Sequence, residues 1–302
     1  MIKRLLLAIA MAVSTTAFAA EKITLIWGFS PAANQANFYR ALVQELNQQQ
    51  SKYEFVFDTR TGAGGAIAAR YVLQNPQNTL FGGTSTFFIR PNFDKDTGYQ
   101  ADQFQPVFVQ TLGAPLALFS TKYKNIKDLK SAKRFTTSIS GFGSHSNLMA
   151  SILAESYPAV TIVNYPSLVD ANKDVVGEHI DTGWNWLAEI EPSLDTNMTN
   201  VLGLTGTRSV KGHPTLASLG VRGYENVSTN TGIYAGTDMP LDRVKEIYEM
   251  LRVANKSPAV RALYDKEYST PVDYTWAQTV KWYADQVKFW AVQSAKVKPL
   301  GQ

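Results

Sequence analysis

Residues 53–81 have the sequence YEFVFDTRTGAGGAIAARYVLQNPQNTLF, in which two different periodicities flank a glycine-rich centre. The segment YEFVF places an aromatic residue at every second position, which predicts a strand. The turn 61–65 follows, and Ile67 and Tyr71 after it have the four-residue spacing of a helix face. A second strand is expected at 79–81. This order of strand, glycine turn, helix and strand predicts a βαβ unit and therefore a parallel sheet.

The alternation of strands and helices extends in both directions from this unit. Further strand candidates are 22–27, 116–119, 135–140, 161–165 and 180–182, and helical patterns occur at 35–46, 148–153 and 169–176. A capping box at Thr275 and Gln278 predicts a long C-terminal helix. Its apolar face is expected to contain Trp276, Val280, Tyr283, Val287 and Trp290. With 302 residues, the chain is long enough for two α/β domains, each a mixed, mostly parallel sheet flanked by helices.

The N-terminus has the pattern of a secretory signal peptide. Lys3 and Arg4 precede the apolar run 5–13, and residues 17–19 form an A-x-A cleavage pattern. The apolar run is too short to cross a bilayer core, which requires about 20 residues. We therefore expect cleavage after Ala19 and a periplasmic location. The sequence contains no cysteine, which excludes disulfides and a lipid anchor attached to cysteine.

The composition is that of a globular protein, with 45% hydrophobic and 18% charged residues. The formal net charge is +4, and the basic residues are scattered. The sequence has no run of basic residues, so a nucleic-acid partner is not indicated. We expect a soluble monomer that does not bind nucleic acid.

Three glycine- or serine-rich turns, at 30–34, 62–65 and 141–146, each lie between a predicted strand and a predicted helix. In an open parallel sheet such turns gather at the carboxyl ends of the strands, where ligands bind. They also present the first N–H groups of helices, which carry partial positive charge. Amides and hydroxyls can therefore hold a carboxylate without Arg or Lys. The alternative is that the small residues only permit tight turns.

The candidate ligand-binding residues lie in these turns and near the strands that follow them. They are Ser30, Ala32, Asn34, Gln35, Gly64, Thr84, Ser85, Thr86, Gly143, Ser144, His145, Tyr165 and Asp181.

Motifs for cofactors, metals and nucleophiles are incomplete. Ile67 stands where a dinucleotide fingerprint has its third glycine, and no P-loop is present. Phe142 and Ser146 flank Ser144 where a nucleophile elbow requires glycine. The three histidines are too widely spaced for a local metal motif. We predict no cofactor, no metal and no catalytic residues. A periplasmic hydrolase that uses Ser144 and His145 is the less favoured alternative.

Several short motifs occur in order along nearly the whole mature chain. They are 62–65, 81–84, 99–107, 141–147, 164–167, 213–216 and 232–240. In this order they resemble the solute receptors of tripartite tricarboxylate transporters, the Bug or TctC family. The sequence departs from the family pattern at Gln103, where aspartate is usual, and at Asn147, where histidine is usual. Ala36 occupies the position of the expected first-loop aspartate, which leaves the identity of the ligand open.

The resemblance implies a two-domain periplasmic binding protein of the type II kind, with its ligand in a cleft between domains that close around it. Domain 1 would comprise residues 20–118 and 231–302, and domain 2 residues 119–230. The implied ligand is a dicarboxylate, a tricarboxylate, an acidic amino acid or an aromatic acid. The implied partners are integral-membrane transporter subunits. A receptor that serves a sensor or another transporter is the alternative.

Overall fold

The computed structural model describes residues 20–295, which form strands β1–β11 and helices α1–α10. The strands are β1 (Glu21–Trp27), β2 (Tyr53–Thr59), β3 (Thr79–Thr84), β4 (Phe104–Ala114), β5 (Leu116–Ser120), β6 (Phe135–Ile139), β7 (Val160–Asn164), β8 (Gly183–Trp186), β9 (Asn200–Leu204), β10 (Thr229–Gly236) and β11 (Thr270–Pro271). The helices are α1 (Asn34–Gln49), α2 (Ala66–Gln74), α3 (Thr86–Phe93), α4 (Asp128–Ser131), α5 (His145–Ser156), α6 (Leu168–Val176), α7 (Leu187–Asp195), α8 (Leu241–Ala254), α9 (Pro258–Lys266) and α10 (Trp276–Ala295). Residues 63–65 and 101–103 form short 3₁₀ helices. The predicted signal peptide lies outside the described residues.

A six-stranded sheet has the strand order β11-β4-β10-β3-β1-β2. Strand β1 is parallel to β2 and β3, and its residues Ile23, Leu25, Ile26 and Trp27 are all buried. Burial of side chains on both faces is typical of a strand covered by helices on each side. Strand β10 pairs antiparallel with β3 and β4, and β11 pairs antiparallel with β4. We call this sheet and its helices, α1–α3 and α8–α10, the large-sheet part.

The remaining strands form a three-stranded sheet of order β8-β5-β9 and the parallel pair β6-β7. A bridge between Thr137 and Thr182 links the two groups. We call these strands, helices α4–α7 and the segment 205–228 the small-sheet part. The chain passes from the large sheet to the small one at Pro115, between β4 and β5, and re-enters the large sheet at Thr229. The domain bounds given above remain a prediction.

The predicted α/β fold with mixed sheets is confirmed, although parallel pairing is less extensive than expected. Among the described residues it is limited to β1 with β2 and β3, to β6 with β7, and to two isolated bridges, Thr137 with Thr182 and Leu204 with Thr215. The other described pairs are antiparallel because β10 runs opposite to both of its neighbours and β5 opposite to β8 and β9. The strand predicted at 180–182 is displaced and begins at Gly183.

The predicted capping box at the start of α10 is confirmed. The Thr275 N–H donates to Gln278 Oε1 over 2.8 Å, and the Gln278 N–H donates to Thr275 Oγ1 over 3.3 Å. The predicted apolar face is partly wrong because Val280 is exposed, whereas Thr279 and Trp282 are buried. The buried face of α10 therefore contains Thr279 in place of Val280.

Helix α3 is held in place by a cluster of aromatic rings. Phe87 stacks on Tyr234, with ring centroids 4.7 Å apart, and on Tyr99, with centroids 5.4 Å apart. Phe88 packs edge-on against Tyr283 of α10. Such pairs stabilise the packing beyond area burial alone, by about 0.5–1.5 kcal/mol each. They fix the position of Thr86, which opens α3. Within residues 20–295 no helix has the length and apolar character of a membrane span.

Candidate functional site

A pocket lies where the N-terminal ends of six helices meet, between the large-sheet part and the small-sheet part. Its lining includes residues at the start of α1, α2, α3, α5, α6 and α7, namely Ala33, Gly64, Thr86, His145, Ser146, Ser167, Leu168, Trp186 and Glu189. Each helix N-terminus carries about half a positive charge, so their convergence favours a negatively charged group. The cavity volume is about 60 Å³.

The pocket lining is otherwise apolar or neutral. The apolar and aromatic lining side chains are Trp27, Phe29, Ala33, Leu116, Pro166, Leu168, Val169 and Trp186. Among the described residues, no Lys or Arg lines the pocket, and Glu189 is the one charged residue that does. Within residues 20–295 no group of histidine and acidic residues is arranged to hold a metal ion.

The first turn contributes Ser30 to the lining, and its hydroxyl accepts the N–H of Ala32 over 3.3 Å. The backbone N–H of Asn34, at the start of α1, donates to Glu189 Oε1 over 2.6 Å. The Gln35 side chain instead donates to Glu267 Oε2 over 3.1 Å. Of the candidates Ser30, Ala32, Asn34 and Gln35, only Ser30 lines the pocket. Asn34 contacts the lining residue Glu189 through its backbone N–H.

The second turn has a backbone that only glycine adopts readily. Gly62, Gly64 and Gly65 have φ values of +136°, +59° and +90°, and Ala63 between them has +47°. Gly62 and Gly64 line the pocket. A Cβ on Gly64 would lie 3.2 Å from Arg90 Nη1, so the guanidinium of Arg90 approaches this turn closely. The candidate Gly64 is therefore placed at the pocket with a cation behind it.

In the third candidate segment, 84–86, two residues line the pocket and the third bonds to a neighbouring strand. Thr84 and Thr86 line the pocket, and Thr84 Oγ1 accepts the N–H of Thr86 over 3.3 Å. The hydroxyl of Thr86 accepts the N–H of His145 over 3.1 Å, which joins α3 to the start of α5. Ser85 does not line the pocket, and its hydroxyl accepts the N–H of Asn230 from β10 over 3.0 Å.

The glycine-serine turn before α5 is largely occupied by its own hydrogen bonds. Ser144 caps α5, because its Oγ accepts the N–H of Asn147 over 3.1 Å. The N–H of Gly143 donates to Asn147 Oδ1 over 2.9 Å. Neither Gly143 nor Ser144 lines the pocket, whereas Ser146 does. Asn147, at the position of the family's usual histidine, thus closes this turn.

His145 lines the pocket, but both of its ring nitrogens are engaged within the protein. Nε2 lies 2.7 Å from the carbonyl oxygen of Val227 and must donate to it, so Nδ1 accepts the Thr229 hydroxyl over 2.8 Å. Burial lowers the pKa of His145 to about 4. The ring is therefore a neutral structural group at neutral pH.

The last two candidates lie outside the pocket lining. The Tyr165 hydroxyl donates to Asp174 Oδ2 over 2.8 Å. Asp181 pairs with Lys122 over 2.7 Å and accepts the N–H of Thr136 over 2.9 Å. Burial alone would raise the pKa of Asp181, but the bonds from Lys122 and Thr136 lower it. These contacts connect elements of the small-sheet part to one another.

Sequence reasoning missed several residues that line the pocket, including Trp27, Asn185, Trp186, Ser167 and Glu189. Ser167 had a usable signal, since Ser167 Oγ accepts the N–H of Asp170 and so caps α6. The strand β8 followed directly by α7 is a further strand–helix turn of the kind used for the other candidates. No local pattern identifies Glu189.

No protein-family model matches the sequence, and no curated protein matches it. Solved structures do match over nearly the full length. The periplasmic binding protein BugD has a TM-score of 0.82 and 19% identity, covering 91% of this chain and 97% of its own.

The fold is that of the periplasmic binding proteins. The R. palustris protein Rpa4515 with adipate has a TM-score of 0.82 and 21% identity, covering 94% of this chain and all of its own. MatC from Rhodopseudomonas palustris with bound malate has a TM-score of 0.81 and 18% identity, covering 92% of this chain and all of its own. The resemblance to Bug and TctC receptors that the motifs indicate is confirmed at the level of the fold.

Proposed function

We propose that this protein is a periplasmic solute-binding receptor that captures a small organic carboxylate for a tripartite tricarboxylate-type transporter. The observation that carries this proposal is the convergence of six helix N-termini on one pocket that no Lys or Arg of the described residues lines. Backbone N–H groups supply the positive potential there, as in other anion sites at helix ends. The structural neighbours solved with adipate and with malate support a carboxylate as the ligand.

The pocket already contains an example of the proposed contact. Glu189 Oε1 accepts the N–H of Asn34 at the start of α1 over 2.6 Å, the distance of a strong charge-assisted hydrogen bond. A carboxylate therefore fits a helix N-terminus of this pocket.

The hydrolase alternative lacks the required contact between nucleophile and base. Ser144 Oγ bonds to the N–H of Asn147 and to the Ser146 hydroxyl, and the His145 ring bonds to Val227 and Thr229. A general base must reach the proton that it removes. His145 has no hydrogen bond to Ser144, so we do not propose hydrolysis.

A thermal-shift screen of organic acids tests the receptor proposal. A ligand present at 100 times its dissociation constant adds about 2.7 kcal/mol to the free energy of unfolding, which is a readily measured shift. We expect some acids to stabilise the protein and the neutral diamides of the same carbon skeletons to have no effect. Stabilisation by the diamides as well, or by no acid of the panel, would contradict the proposal.

A further inference from the structure

Glu189 is placed to decide which carboxylates the pocket accepts. It is the third residue of α7 in the small-sheet part, and its carboxylate bonds to Asn34 at the start of α1 in the large-sheet part. This contact crosses the pocket. A helix N-terminus that would otherwise be open to a ligand carboxylate is therefore occupied by a carboxylate of the protein itself.

A second acid stands close to the same helix end. Glu267, which is buried, accepts a hydrogen bond from the side chain of Gln35, the residue after Asn34. The other charged groups near these acids are Lys266, which is exposed, and Glu191, which is paired with Lys211. Two carboxyl groups of the protein itself, those of Glu189 and Glu267, thus already lie at the start of α1.

Other parts of the pocket remain suited to an anion. The turn 62–65 precedes α2 and has the guanidinium of Arg90 beside Gly64. Arg90 pairs with Asp94 over 3.1 Å and donates to the Phe142 carbonyl, yet its Nε–H has no partner among the described residues. The buried Nε1–H of Trp186, a lining residue, likewise has no partner there. Trp186 Nε1–H can donate to a carboxylate in the pocket, whereas Arg90 does not line the pocket and contributes positive charge from behind the turn 62–65.

We propose that Glu189 makes the pocket selective for ligands with a single carboxylate and against dicarboxylates and tricarboxylates. This inference rests on the proposed receptor function. A ligand carboxylate binds at the turn 62–65, and the rest of the ligand contacts the apolar lining and Glu189. A second ligand carboxylate at α1 would have to displace Glu189 and would leave two carboxylates near each other in a site of low polarity, which is unfavourable. A neutral amide, a hydroxyl or an ammonium group can instead donate to Glu189.

Calorimetry with matched pairs of ligands tests this selectivity. Each pair has one carbon skeleton: succinate with succinamate, glutarate with its monoamide, and adipate with its monoamide. For the native protein we expect the monoamide to bind about tenfold or more tightly than the diacid. In Glu189→Gln, whose side-chain oxygen can still accept the N–H of Asn34, we expect this preference to disappear or to reverse.

Asp195→Asn is the matched control. Asp195 is the last residue of the same helix, is exposed and does not line the pocket. Its replacement should leave the preference unchanged, and circular dichroism should show that both variants are folded. If the native protein prefers the diacids, or if Glu189→Gln retains the native preference, the selectivity inference is wrong while the receptor function stands. If neither the native protein nor the variants bind any of the six compounds, both proposals are wrong.

Discussion

Gln35 donates a hydrogen bond of 3.1 Å to the carboxylate of Glu267, and these two side chains are buried together beside the first turn of α1. Burial raises the pKa of Glu267 from 4.5 to about 8, and the negative charge of Glu189 adds to the shift. The folded protein therefore keeps the Glu267 proton between about pH 4.5 and pH 8, where the unfolded chain releases it.

From this shift we expect Glu267 to contribute a decrease in the free energy of unfolding as the pH rises from about 4.5 to about 8. The folded state binds more protons than the unfolded state in this window, and the total effect is on the order of a few kcal/mol. Urea titrations at several pH values measure it. Glu267→Gln should flatten this part of the profile, whereas Glu54→Gln, at an exposed position on β2, should retain it. Parallel profiles for Glu267→Gln and the native protein would contradict the assignment.

At acidic pH, we expect His145 to make the free energy of unfolding depend on pH in the opposite direction. Burial lowers its pKa from 6.5 to about 4, so only the unfolded chain takes up this proton between those values. We therefore expect His145 to contribute a loss of stability as the pH falls from about 6.5 to about 4, roughly 3 kcal/mol in total. NMR titration of the ring provides a direct measurement. A ring that titrates near pH 6.5 in the folded protein would show that it is not enclosed by Val227 and Thr229 as described.

Ser144 and Thr84 should respond differently to loss of the hydroxyl. Ser144→Ala removes the cap of α5, which costs about 0.5–2 kcal/mol of stability, but it should leave ligand affinity nearly unchanged because Ser144 does not line the pocket. Thr84→Val alters the lining and should weaken carboxylate binding roughly tenfold. Calorimetry and thermal melts on the same two samples distinguish the effects. Equal loss of affinity in both variants would place Ser144 at the ligand after all.

Tyr268, which lies between α9 and β11, contacts the small-sheet part. Its hydroxyl donates to Glu191 of α7, and its carbonyl accepts Arg208 Nη2 over 2.8 Å. Tyr268→Phe should favour a more open arrangement without ligand, since a hydrogen bond to a charged group stabilises by about 1.5–3 kcal/mol. We expect small-angle scattering to show a larger radius of gyration that ligand reverses.

Tyr248→Phe is the control for this experiment. The Tyr248 hydroxyl donates to the Tyr274 carbonyl over 2.7 Å, within the large-sheet part. Its loss should lower stability but not change the radius of gyration. An unchanged radius for Tyr268→Phe would mean that this contact does not hold the two parts together.

Export is tested by mass spectrometry of the periplasmic fraction. The A-x-A pattern at 17–19 predicts a mature chain that begins at Ala20. A periplasmic protein that retains Lys3 and Arg4 would show that the segment is not cleaved as predicted.

The strand–turn–helix units were predictable from the sequence because their signals are local. The stretch 53–81 has a period of two, then glycines, then a period near four, and it forms β2, α2 and β3. The long strands β4 and β10 gave no comparable signal. Their pairing is non-local and antiparallel, and it decides the order of the large sheet. Sheet order depends on which strands meet in space, and no periodicity along the chain reports that.

The turns that contribute backbone to the pocket were predictable from the sequence, but the charged residue in the pocket was not. The turns containing Ser30, Gly64 and Thr84 do lie at one pocket. Ser144, however, has the same residue type and turn context as a ligand-binding serine and acts as a helix cap. Glu189 meets Asn34 across 155 residues of sequence. Only the placement of α7 against α1 makes that carboxylate part of the pocket.

The convergence of helix starts on one pocket has a consequence for how this protein can change over generations. Its positive potential comes mainly from main-chain amides, and a point mutation to any residue other than proline keeps the main-chain N–H. Attraction for anions is therefore inherited with the backbone and survives extensive sequence drift. A side chain that competes for one of these amides, as Glu189 does at Asn34, can appear or vanish in a single codon change. New ligand preferences are then reachable by one substitution on an unchanged scaffold.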